Sequence, residues 1–76
     1  MPTDDAIRAA AYEHLYVARG ERDGRVVVRG HDAAYRAVGC DPRDCIGDNP
    51  VGLHVGQVIS ECADVLRAHA RAAAGR

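Results

Sequence analysis

From position 51 to 73, apolar residues recur at helical spacing. Val51, Val55, Val58, Ile59, Cys62, Val65, Leu66, His69 and Ala73 fall on one stripe, and Gln57, Ser60, Glu61, Asp64, Arg67 and Arg71 lie opposite. Asn49 before this run is a good N-cap, Pro50 suits the first helical position, and Gly75 closes the run. One long helix is therefore predicted from Pro50. Only Leu53 projects to its polar side. Beside the stripe runs a line of small residues, Gly52, Gly56, Ala63, Ala70 and Ala74, which lets another backbone approach closely. The expected occupant is the first helix or a second copy of the same helix.

A second periodic segment opens the chain. Thr3 can cap a helix with Asp4 and Asp5 in its first turn, where negative charge suits the dipole. Ile7, Ala10, Ala11, His14 and Ala18 fall on one side, flanked by Leu15 and Val17, and the helix is predicted to reach about Arg19. Tyr12 and Tyr16 then sit together on the other side, one turn apart. After a loop over residues 20–24, the β-branched run of residues 25–29 reads as a strand. Its backbone needs a neighbour. If the first helix stopped early, residues 15–19 would supply one as a hairpin. The helical reading is preferred, which leaves the same strand of a second subunit as the expected neighbour. A short helix follows, capped by Asp32 and closed by Gly39. Asp41-Pro42 restarts one turn with Asp44 at its third position, and Gly47 stops it.

The predicted class is α+β and helix-dominated: two long helices, a short helix, and one strand or hairpin. Residues 1–76 are expected to form a single small domain with an ordered core over about 4–74. Composition sharpens this. Ile, Leu and Val number fifteen in 76 residues, with no Phe or Trp, so the large apolar side chains are few. A single core of this size rarely supplies more than about 3–5 kcal/mol, and association with a partner chain is expected.

The net charge of −1 creates no global field for phosphates or anionic lipid. The first residues lack the pattern of a signal peptide, and no apolar run approaches a membrane span. With three cysteines, an odd number, the expected setting is a reducing cytoplasm.

Little in the chain points to chemistry. Cys40, Cys45, His54, Cys62 and His69 are metal-ligand types, and His14 and His31 could join them. Zinc sites, however, deliver close pairs such as C-x2-C, and here the spacings are five, seven or more. No metal and no cofactor is expected. Asp41, Asp44, Asp48 and Asn49 do not match a calcium loop and read as caps. Ser60 and Thr3, the single serine and threonine, lie outside any nucleophile elbow, so no enzyme activity is expected. The glycines are too widely spaced for a phosphate cradle.

Two binding classes remain. Tyr12 and Tyr16 suit a protein interface, where tyrosine gives large contact area at low entropic cost. Arg25 and Arg29 at the strand ends, with Leu53, complete the expected partner-binding set. Residues 32–46 also resemble a helix-turn-helix in outline, although Gly47 cuts the second helix short. Arg22, Arg25, Arg29 and Arg36 offer phosphate contacts that Asp23 and Asp32 dilute. The expectation is a cytoplasmic, non-catalytic protein–protein interaction protein of accessory or inhibitor type, acting as a homo-oligomer. The alternative is a small dimeric DNA-binding regulator.

Overall fold

The computed structural model describes residues 1–20 and 22–75. Glu21, within the expected loop of residues 20–24, and Arg76, the end of the expected domain, lie outside the described residues. The order is α1 (Asp4–His14), β1 (Tyr16–Arg19), β2 (Val26–Arg29), α2 (His31–Ala37), a 3-10 turn (Pro42–Cys45) and α3 (Pro50–Ala74). This is a helix-dominated α+β fold.

The long helix sets the shape. Its 25 residues span about 37 Å at 1.5 Å per residue, and the molecule is 40 Å along its longest axis. The Asn49 side chain accepts from the N–H groups of Val51 and Gly52, and Pro50 fills the first position. Thr3 caps α1 by accepting from Ala6 N–H, with Asp4 and Asp5 in the first turn. Asp41 and Asp44 form a reciprocal capping box around the 3-10 turn. The Arg43 guanidinium and backbone N–H hold the Asp41 carboxyl down at about 2.

Two expectations are corrected here. First, α1 ends at His14, and residues 16–19 are a strand. Leu15 is extended, and β1 pairs antiparallel with β2 in the register Tyr16↔Arg29, Val17↔Val28, Ala18↔Val27 and Arg19↔Val26. The neighbour of the valine strand is therefore in the same chain. Pairing across a short connection loses little loop entropy and satisfies the backbone of β2 without a second subunit. The returning chain also closes on the end of α1. Gly30, at φ +98°, passes so near the His14 carbonyl that no Cβ fits between them. Gly30, rather than Asp32, is then the residue before α2, and Asp32 sits in its first turn.

Second, the small-residue line of α3 receives neither α1 nor a second copy at its glycines. The 3-10 turn occupies them. A Cβ on Gly52 would collide with the Asp44 backbone carbonyl, and one on Gly56 would lie 2.7 Å from the Tyr35 hydroxyl and 3.1 Å from Cys45 Cβ. The glycines cost the helix roughly 0.5–1 kcal/mol each relative to alanine, and this seating of turn and tyrosine offsets that.

The core gathers Ile7, Ala11 and Leu15 from α1 and its end, Val28 from the hairpin, Ala34 and Tyr35 from α2, and Val55, Val58, Ile59, Cys62 and Ala63 from α3. Full burial along α3 stops there, with Leu66 partly buried against the core beyond it. Val51, Val65, His69 and Ala73, expected on the buried stripe, are exposed. No element remains to cover them among the described residues. Two cross-links tie α1 to α3 at the surface: Arg8 to Glu61 at 3.1 Å and Asp4 to His54 at 2.7 Å.

Candidate interaction surface

The hairpin brings two of the sequence-predicted residues together. Directly opposed residues in an antiparallel pair project to the same face, and faces alternate along each strand. Val28 is buried and, with Val17 across the ladder, marks the inner face. Tyr16 and Arg29 are therefore opposed on the outer face, where Tyr16 is 57% exposed. The two line a shallow hollow of about 390 Å³ with Val28 at the strand end and Gly30, His31 and Asp32 at the start of α2. Val17, which projects to the other face, is itself 40% exposed. A hydroxyl-bearing ring next to a guanidinium, over an open depression, is a composition favoured at protein contacts.

The strand edges matter as much as the side chains. The sheet has two strands, so each presents one edge that pairs with nothing else among the described residues. An open edge carries N–H and C=O groups ready to pair with another chain. A bulge or proline that would blunt it is absent from β1 and β2.

The other predicted residues are elsewhere. Tyr12 stays on α1 and is separated from Tyr16 by the end of that helix, so the expected tyrosine pair on one helical face does not form. Tyr12 lies at the seam with α3 instead, where neighbouring Cys62, and then burial, raise its hydroxyl above the usual value. Leu53 is exposed on the first turn of α3, fourteen residues before Arg67 or roughly 21 Å along the helix. Arg25 is at the hairpin turn, where Asp23 accepts from its backbone N–H and faces its guanidinium at 3.7 Å.

The metal-ligand types are dispersed. Cys62 is fully buried in the core, and His69 is exposed on the later part of α3. His54 is engaged by Asp4. Cys45 donates its thiol to the Pro42 carbonyl, while burial pushes the Cys40 thiol up. Among the described residues, no three His, Cys, Asp or Glu side chains are grouped to hold an ion. Tyr35, over Gly56 and against Cys45, is pushed up to about 12 by burial and then by that cysteine. It is a structural residue that closes the small-residue groove.

Sequence reasoning missed one feature. A groove runs between the hairpin turn and the later part of α3, lined by Gly24, Arg25, Val26, Arg67 and Arg71. Arg67 and Arg71 are one turn apart on the helix, a spacing visible in the sequence. Their meeting with Arg25 depends on how the hairpin docks.

No helix among the described residues is long and apolar enough to cross a membrane. Comparison of the chain with family models, curated proteins and solved structures found no match.

Proposed function

We propose that this chain is a small, non-catalytic protein–protein interaction protein of the cytoplasm that acts as an oligomer, with the hairpin as its contact surface. The observation that carries the reading is the exposed Tyr16, opposed to Arg29 on a two-stranded sheet whose edges are open. A second copy pairing along β1 extends the sheet to four strands about a two-fold axis, the commonest closed arrangement of like subunits. It also covers Val17, and it adds the third and fourth strands that give a sheet independent stability.

A small dimeric DNA-binding regulator is the second reading, and the arginines Arg22, Arg25 and Arg29 on the hairpin favour it. Its structural supports are weaker. The valine strand has its partner within the chain, and residues 32–46 hold one helix and a 3-10 turn in place of two helices.

Native mass spectrometry of the purified protein, alone and with a mixed-sequence DNA duplex, tests the proposal. A dimer that persists as salt rises is expected, with no duplex bound. A monomer at micromolar concentration contradicts the oligomeric reading. Duplex binding that weakens steeply with salt, as counterion release requires, favours the regulator instead.

A further inference from the structure

The outward end of α3 carries Arg67 and Arg71 on one face, and the hairpin turn lays Arg25 against that face. The groove between them encloses about 590 Å³, within the range of about 300–1,000 Å³ typical of ligand sites. Arg25, Arg67 and Arg71 line it together. Arg67 is held by Asp64 at 2.8 Å, outside the lining, and the largely exposed Arg25 has Asp23 near it at 3.7 Å. Arg71 has no ion pair among the described residues. A guanidinium presents a planar fork of donors that matches a carboxylate in bidentate fashion. Asp64 takes one donor of Arg67, which leaves the others of that fork for a ligand.

We propose that this groove is a binding site for a carboxylate-rich protein segment, seated with its acidic side chains on Arg25, Arg67 and Arg71. The inference deepens the protein-interaction reading and rests on it, since it names the chemistry of the partner. Charge favours an acidic peptide over nucleic acid. The chain as a whole carries −1 and so supplies no global attraction for a long polyanion, and Asp23 and Asp64 confine the positive charge to a short stretch beside the groove. A short acidic segment needs only the local positive groove. Val26 in the lining, and the aliphatic stems of the arginines, give such a segment an apolar floor.

The test is binding of fluorescein-labelled hexaglutamate to the full chain, followed by anisotropy and by the arginine side-chain N–H signals in NMR. Binding is expected, with the signals of Arg25, Arg67 and Arg71 shifting. The double variant Arg67→Gln/Arg71→Gln should bind at least about tenfold more weakly, as loss of charge-assisted hydrogen bonds dictates. Both residues lie outside the core, and an unchanged circular dichroism spectrum confirms that the variant is folded. Equal binding by the variant, or shifts confined to other residues, overturns the site. Inorganic phosphate competing as well as the peptide overturns the peptide as its ligand. Failure to bind hexaglutamate while the dimer persists sinks the groove alone. A single-stranded oligonucleotide of equal charge binding more tightly than the peptide sinks both the groove proposal and the protein-partner reading.

Discussion

The two halves of α3 share one sequence pattern and meet opposite fates. Over residues 52–63, apolar and small positions are covered: Val55, Ile59 and Cys62 by the core, and Gly52 and Gly56 by the 3-10 turn and Tyr35. Over residues 64–74 the same periodicity continues, yet only Leu66 still packs, partly buried, against the core; Val65 is 42% exposed, His69 and Ala73 are open, and the neighbour that arrives is a hairpin turn bearing arginine. Helical spacing establishes a face. Whether that face is core or contact surface depends on what the rest of a short chain can reach. Here α1, α2 and the 3-10 turn are used up on the first half, and the second half is left to the hairpin and to solvent.

Single substitutions can break this contrast. Ile59→Ala leaves a cavity in the buried half and should cost about 2–5 kcal/mol, enough to unfold much of so small a domain. Val65→Ala, six residues later in the exposed half, should stay within about 0.5 kcal/mol. Urea denaturation of the two variants reads the difference directly, and similar losses would place the boundary of the core wrongly.

Gly52→Ala is next in size. Alanine is the better helix former by roughly 0.5–1 kcal/mol, so at a free helical surface the change stabilises. Against the Asp44 carbonyl it should instead destabilise by about 1–3 kcal/mol through overpacking. A gain in midpoint temperature would mean that the 3-10 turn does not sit on the helix.

Smaller and confined to high pH is the effect of Tyr35. Its hydroxyl, ordinarily near 10.0, is raised to about 12. Between those values the unfolded chain has released a proton that the folded chain keeps, so the unfolded state is favoured. The contribution is complete below pH 10 and disappears as pH rises through 12. Tyr35→Phe should flatten that part of the stability profile, and phenolate absorbance should show a late-titrating tyrosine in the folded wild-type protein. An unchanged profile in the variant would count against a buried, folded-state Tyr35.

Much of the fold was legible because caps act locally. Thr3, Asn49 and Pro50, and the Asp41/Asp44 pair each settle a helix or turn start through a hydrogen bond or a fixed φ within a few residues. The end of α1 was not legible in the same way. Residues 15–19 suit helix or strand nearly equally, and the choice is made by ladder pairing with residues 26–29 and by the Gly30–His14 approach. Both are contacts across the chain. The small-residue line of α3 showed that something would come close but not what, because Gly52 reports space rather than an occupant. The candidate surface was half visible. Tyr16, Arg25 and Arg29 were identified by type, whereas the facing of Tyr16 with Arg29 and the groove shared by Arg25, Arg67 and Arg71 exist only once the hairpin is formed and docked.

The central claim is that the hairpin is where this chain meets another. A photo-reactive phenylalanine derivative placed at Tyr16, with a second protein carrying it at exposed Ser60 on α3, tests that claim in the purified protein. Irradiation should give a covalent dimer from position 16 and none from position 60. A dimer from position 60 alone, or none from position 16, would contradict it.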